Sequence, residues 1–303
     1  MGTFFQELAK KLAERWVTLL VIPGALLLAT VRIGIRLRHQ HALDCTRLGA
    51  IASETATWIT RQSTGSQAVL LVAVLLSAAG AGLAVQALAG AIRRIWLGSW
   101  PGSQTLVQRT LVDNRRRRWR DRVADRRRLE QATPRASRTP EQQLAINTAA
   151  ARVNRIALAE PGRPTWMGDR IHALEYTAAN RYGLDLTFAW SRLWLVIPDA
   201  ARTEITTANA AFAAAVAIGT WAWPYLLLGT VWWPAALIGI GIGTTGWVRA
   251  RAAIADLTTL SEAALDLHGR DLATALGAAE PDRVGPLTIT EGEKVTALIR
   301  KGR

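Results

Sequence analysis

The chain has 303 residues, 50% of them hydrophobic and 20% charged, with a formal net charge of +14, which excludes an intrinsically disordered chain. Four apolar stretches lack acidic side chains, and most of the positive charge lies between and beyond them. This segregation excludes an ordinary soluble domain and predicts an all-α, polytopic membrane protein with four transmembrane helices and a helical cytoplasmic domain.

In chain order, residues 1–15 come first. Thr3 followed by Gln6 has capping-box spacing, and Phe5, Leu8 and Leu12 recur at helical intervals, which predicts an interfacial amphipathic helix leading into a retained span. A secretion signal cleaved after Ala29 is the alternative.

Residues 16–92 read as the first transmembrane pair, with spans at about Trp16 to Val31 and Ala68 to Ile92 and an outer loop at 33–67. Pro23 and Gly24 predict a kink in the first span. In the second, Ala78, Gly82, Gln86 and Gly90 fall four residues apart, so Gly82 and Gly90 are candidate helix-packing positions.

Residues 93–198 read as a basic helical cytoplasmic domain. Between Arg93 and Thr133 stand twelve arginines against Asp113, Asp121, Asp125 and Glu130. The run Arg115, Arg116, Arg117, Arg118, Trp119 and Arg120 is a candidate docking strip for anionic phospholipid. Its other reading is a solvated helix, with Asp113 and Asp121 pairing to Arg117 and Arg118. Nucleic acid is disfavoured, because the strip lacks the interleaved aromatics of a stacking platform.

Thr139, Pro140 and Gln142 predict a capped helix to about Ala159. A second helix should cover about Asp169 to Tyr182 and end at Gly183 in a left-handed cap. After Thr187 as candidate N-cap, Trp190, Leu193, Trp194 and Ile197 lie at i, i+3, i+4 and i+7 on one helix face that Pro198 ends. This stripe packs on its own domain or lies at the head groups, or else anchors an unknown protein partner.

Residues 199–248 read as a second transmembrane hairpin turning at Gly229 to Val231, with Trp221, Trp223, Tyr225, Trp232 and Trp233 clustered as interfacial aromatics do. Gly239 and Gly243 make a GxxxG pair for close helix packing. Residues 249–303 form a cytoplasmic arm and tail. There the helix runs on to about Leu276 with Ile254, Leu257, Ser261, Ala264, Leu265, His268 and Leu272 inward, followed by a loop from Gly277 to Pro286 and a basic tail from Gly292. Loop lysines and arginines place both termini and the middle region in the cytoplasm, although Arg36 and Arg38 on the outer loop count against this.

Arginine outnumbers lysine 33 to 4, a bias that GC-rich codons produce, so the expected location is the cytoplasmic (inner) membrane of a bacterium. Glu175-Tyr176, then Arg181-Tyr182-Gly183-Leu184-Asp185, Trp190-Ser191-Arg192-Leu193 and Pro198 resemble a segment of a family of four-span bacterial integral membrane proteins. A stretch similar to Leu267 to Leu272 follows the hairpin in that family. The resemblance spans about Arg170 to Gly277 and implies a shared architecture but no activity.

Cys45 is the lone cysteine, which rules out intramolecular disulfides and paired-cysteine motifs. His41, Asp44 and Cys45 at i, i+3, i+4 are a candidate metal face, set against a solvated loop flanked by repelling arginines. His172 with Glu175 and His268 with Asp271 read as helix-surface pairs, and Arg181 is expected to meet Asp185 or Glu175. No nucleophile elbow, phosphate loop or zinc-protease motif appears, so no catalytic residue, metal or cofactor is assigned.

The expected function is therefore a non-enzymatic membrane-anchored scaffold or sensor for a protein partner. The alternative is a homo-oligomeric pore or membrane-disrupting effector, to which the absence of Asp, Glu, Lys and His inside the spans is no obstacle.

Overall fold

The computed structural model describes Glu7 and residues 20–100 and 106–300. The amphipathic helix expected over residues 1–15, the start of the first span and the last three residues of the tail lie outside that set. Among the described residues the chain is all α, with no strand. It divides into two compact units, one formed by Met1–Ile92 with Ala213–Arg249, the other by Arg93–Phe212 with Ala250–Arg303. Residues from Ala250 onward group with the middle region in that second unit.

In the first unit, α1 spans Ile22–Leu37, α2 Cys45–Thr60 and α3 Thr64–Trp96. Pro23 sits at the helix start, just after a π turn at Leu20 and Val21. The helix thus departs from regular α geometry in the turn just ahead of Pro23. Ile33, Ile35 and Leu37 carry α1 beyond Val31, and Arg38 ends it at φ +51° with its N–H on the Gly34 carbonyl.

The expected outer loop at 33–67 contains α2, whose N-terminus is capped by the Asp44 carboxylate accepting from the Thr46 and Arg47 N–H groups. A small core of Leu37, Ala42, Leu228, Trp232 and Ala235 ties this region to the hairpin turn, where the Trp232 indole donates to the Ala42 carbonyl at 3.1 Å.

The stripe expected on α3 is only half used. A Cβ on Gly82 would lie 2.8 Å from the Leu20 carbonyl oxygen, whereas Gly90 has open space around it. The residues of α3 that are buried are Ala78, Gly82, Val85 and Ile92. Each four-residue step advances roughly 40° around a 3.6-residue helix. A strict i, i+4, i+8, i+12 series therefore drifts off the facing helix, and mixing steps of three and four keeps it there.

Helices α8 (Asp199–Thr220), α9 (Ala222–Leu228) and α10 (Trp233–Ala275) follow. Pro224 has no N–H for the Thr220 carbonyl, so the helix breaks at Trp221 and resumes. The hairpin closes on glycines. A Cβ on Gly239 would lie 2.9 Å from the Leu226 side chain, one on Gly243 3.3 Å from Ala222, and one on Gly246 2.6 Å from the Gly219 backbone. Gly246, the tightest of the three, completes an i, i+4, i+7 face with the expected pair. Two helical segments, Thr64–Trp96 and Asp199–Leu228, are long and apolar enough to cross a membrane. The other two expected spans fall on α1 and on the first third of α10.

The second unit contains α4 (Leu106–Ala132), α5 (Pro140–Ile156), α6 (Trp166–Tyr182), α7 (Leu186–Val196), the latter part of α10, and α11 (Ile289–Arg300). Thr139 and Gln142 form the reciprocal capping box at α5. Gly183 caps α6 at φ +63°. Helix α7 is capped by Asp185, not Thr187, because the Asp185 carboxylate accepts the Thr187 N–H.

The core is built from Tyr182, Leu184, Leu193, Ile197, Leu265, Leu272 and Val295. Its last member corrects the expected tail from Gly292, which is a helix with Val295 and Ile299 buried. That helix starts on a capping box, with the Glu291 carboxylate accepting from the Thr288 N–H and hydroxyl and Thr288 accepting in return from the Glu291 N–H. These bonds, aided by Arg270 and Arg283, hold the Glu291 carboxyl below its ordinary range.

Candidate functional site

Two regions of the second unit carry the side chains singled out in the sequence. The first is the arginine run on α4. At i, i+4 spacing, Arg115 and Trp119 face the 156–169 segment, and so do Arg116 and Arg120. Arg115 donates through Nε at 2.9 Å and NH2 at 2.6 Å to one carboxylate oxygen of Asp169, and NH2 also reaches the Ile156 carbonyl at 2.9 Å.

The other Asp169 oxygen accepts the backbone N–H groups of Gly162 and Arg163, at 2.9 and 2.8 Å. Arg116 donates to the Pro161 carbonyl at 2.8 Å, Trp119 to the Ala157 carbonyl at 3.1 Å, and Arg120 pairs with Glu160 at 2.5 Å. Asp169 is 2% exposed.

The six residues therefore do not form one lipid-facing strip. Four contact the segment from Ile156 to Asp169 that carries the Pro161-Gly162-Arg163-Pro164 turn, whereas Arg117 and Arg118 are exposed. The expected pairs of Asp113 and Asp121 with Arg117 are replaced by an Arg116 to Asp113 pair at 4.0 Å and an Arg117 to Asn114 hydrogen bond at 3.1 Å. Further along, Asp125 and Glu130 take Arg122, Arg128 and Arg126. Asp169 was not singled out in the sequence. Its only local signal is an acidic residue in the first turn of a helix behind a Pro-Gly-Arg-Pro turn.

The second region is the tryptophan stripe. Leu193 and Ile197 are buried in the core, at 0% and 1% exposure. Trp190 and Trp194 stand 6.2 Å apart, tilted at 43°, and line an open groove of about 710 Å³. Ile171 and Leu174 of α6, Ile205 of α8 and Leu257 of α10 complete its apolar wall, while Thr206, Asn209, Thr258 and Ser261 place hydroxyl and amide groups along it. One helix face thus divides, two members building the core and two facing an apolar hollow of the size that suits a ligand or an inserted side-chain cluster.

The polar cluster beside it is wired differently from expectation. Glu175 pairs with Arg163 at 3.2 Å, and Asp185 pairs with Arg300 at 2.5 Å. Arg181 lies 5.3 Å over the Tyr182 ring. The Tyr182 hydroxyl donates to Asp266. Burial first, then that bond and the Asp266 charge, push the Tyr182 phenol up to about 12. The Asp185 carboxylate thus serves structure, as do Glu175 and Asp266. His172 stacks obliquely on Tyr176 at 6.5 Å, and His268 pairs with Asp271 at 2.9 Å as its spacing implied.

In the first unit, His39 bonds the Thr230 carbonyl at 2.9 Å. The Asp44 carboxylate is committed to the cap of α2, and its bonds to Thr46 and Arg47 hold it below the ordinary range. Among the described residues no group of three or more His, Cys, Asp or Glu side chains is placed to hold a metal ion.

Comparison with known proteins adds no template for either region: no protein-family model, curated protein or solved structure matches the chain.

Proposed function

We propose that the chain is a multi-pass protein of a bacterial inner membrane whose four apolar segments hold a helical cytoplasmic domain at the bilayer, where that domain docks a protein partner without catalysing a reaction. Both termini are cytoplasmic on this reading, and the family resemblance of the segment around Arg181 to Asp185 belongs with it.

Membrane residence is supported by the surface of α3. Val69, Leu71, Val72, Leu75 and Leu76 are all exposed, whereas a core helix of a soluble protein would bury such a series. The sole cysteine gives a direct topology test. Cys45 is exposed and lies on the expected outer side, so a membrane-impermeant maleimide should label it in intact spheroplasts. Labelling that occurs only after lysis would reverse the topology.

The observation that carries the docking reading is the groove between Trp190 and Trp194. Two large aromatic side chains with polar tips, on a helix anchored in the core by Leu186, Ala189 and Leu193, are the residue type that dominates interface energetics. The occupant that suits an apolar wall with hydroxyls along it is the apolar face of a partner helix. Changing both tryptophans to alanine should abolish co-purification of a stoichiometric partner from gently extracted native membranes, with insertion unchanged. Undiminished capture would refute this role for the groove.

A homo-oligomeric pore is the second reading, favoured by Gly90 and Gly241, which have open space where another helix can approach. Native sizing in the same experiment separates the two, since recovery of a pure homo-oligomer supports the pore. Gly239 and Gly243 do not test the pore, because both are engaged within the hairpin.

A further inference from the structure

The arginines of α4 are largely neutralised, and this draws attention to those that are not. In the second unit, Arg93 and Arg94 follow directly on the apolar run of α3, a helix without any acidic residue. Arg251 stands three residues beyond Val248 on α10. Arg93 lies 5.8 Å over the Phe212 ring, and Arg251 lies 4.3 Å over Trp166, which Arg170 approaches from 5.8 Å. Among the described residues, Arg93, Arg94 and Arg251 form no ion pair.

The 165–170 segment joins these positions. The Thr165 hydroxyl donates to the Trp96 carbonyl at 2.7 Å, Gly168 packs directly against the Leu97 carbonyl, and Arg170 donates to Thr258 at 3.1 Å and to the Ala255 carbonyl at 3.2 Å on α10. Three uncompensated guanidinium groups, two of them laid on aromatic rings, are thus assembled where two apolar helices give way to polar chain. Arginine needs no deprotonated partner to remain charged, and its planar fork suits a phosphate diester.

We infer that Arg93, Arg94 and Arg251, with Trp166 as platform, form a collar that binds the phosphate head groups of anionic phospholipid. This rests on the membrane reading above and assigns the lipid contact to the collar in place of the α4 run. Placement and charge together carry it: six arginines of α4, Arg115, Arg116, Arg120, Arg122, Arg126 and Arg128, meet carboxylates within the protein, whereas the collar arginines meet none among the described residues, stand directly beyond the apolar runs, and two of them lie on aromatic rings.

The test uses full-length protein purified in mild detergent, re-lipidated from equimolar phosphatidylcholine and phosphatidylglycerol, and washed. The ratio of the two lipids retained is then measured. R93Q/R94Q/R251Q should lower the phosphatidylglycerol enrichment by about fivefold per guanidinium removed, and W166L should lower it through loss of the platform for Arg251. R117Q/R118Q should leave it unchanged, and added inorganic phosphate should not compete.

Wild-type enrichment in the triple variant would overturn the collar, as would an equal loss in R117Q/R118Q or displacement by free phosphate. Alkaline carbonate extraction of the same membranes separates the two layers of inference. Release of the wild-type chain would sink the membrane reading and the collar together. Retention of all variants with unchanged enrichment would sink the collar alone.

Discussion

D169A should be among the most destabilising single substitutions in the second unit. The Asp169 carboxylate takes four hydrogen bonds, two from Arg115 and one each from the Gly162 and Arg163 amides. Its removal leaves a largely buried guanidinium and two backbone donors without their acceptor. Breaking a buried ion pair from one side costs roughly 3–5 kcal/mol, because the remaining charge is stranded. For a unit of this size that corresponds to a fall in the unfolding midpoint on the order of 10 °C, read by thermal unfolding of the full-length protein in detergent.

E160Q is the internal control. Its pair with Arg120 is 41% and 65% exposed on its two side chains, and pairs of that kind contribute about 0–1 kcal/mol. In R115A/D169A the two losses should overlap, so that the double variant is less destabilised than the sum of the singles. A D169A protein no less stable than E160Q would show that the clasp does not hold the unit.

The clasp also shows where reading the chain alone runs out. Elements set by neighbours in sequence were readable: the Thr139 and Gln142 capping box, the left-handed Gly183, the stop at Pro198 and the turn before Pro234 all depend on residues within one turn of one another. The role of Arg115 depends on Asp169, 54 residues away, and four consecutive arginines offer no local reason why one should be buried and the next exposed.

The stripe on α7 was readable as a face, but its division was not. Leu193 and Ile197 meet the core, while Trp190 and Trp194 face a hollow walled by Ile205 and Leu257 from helices α8 and α10. On α3 the four-residue glycine pattern misled because a straight helix turns away from it after two steps. Helix α2, interrupted by threonines and by Arg47 and Glu54, was hidden in what looked like a loop, with only the Asp44 cap to announce it. The proposed collar had the same character, since its rings and guanidinium groups come from four separate parts of the chain.

The second large effect is expected at Gly292. A Cβ there would fall within the radius of the Tyr182 carbonyl oxygen, and one on Gly183 would lie 2.6 Å from the Ile289 carbonyl. Helix α11 therefore docks backbone to backbone on the end of α6. The contact is stitched by Thr296, which donates to the Gly183 carbonyl and accepts the Asp185 N–H, both at 3.0 Å. Beyond these bonds, α11 contributes Val295 and Ile299 to the core, at 0% and 6% exposure.

G292V should push the helix away and expose both side chains, at about 1.5–3 kcal/mol for each. T296V, which keeps the shape and removes only the hydroxyl, should cost about 1–3 kcal/mol. Limited trypsin digestion checks the order directly, because Lys294 is exposed on the outer face of α11 but held in helix. Cleavage after Lys294 should be slow in the parent chain, intermediate in T296V and fast in G292V. Equal cleavage rates in the parent and G292V would mean that α11 is not docked through Gly292. The mechanical consequence is specific: α11 closes the core under α7, so loosening it should also weaken the partner capture proposed for Trp190 and Trp194 without either tryptophan being changed.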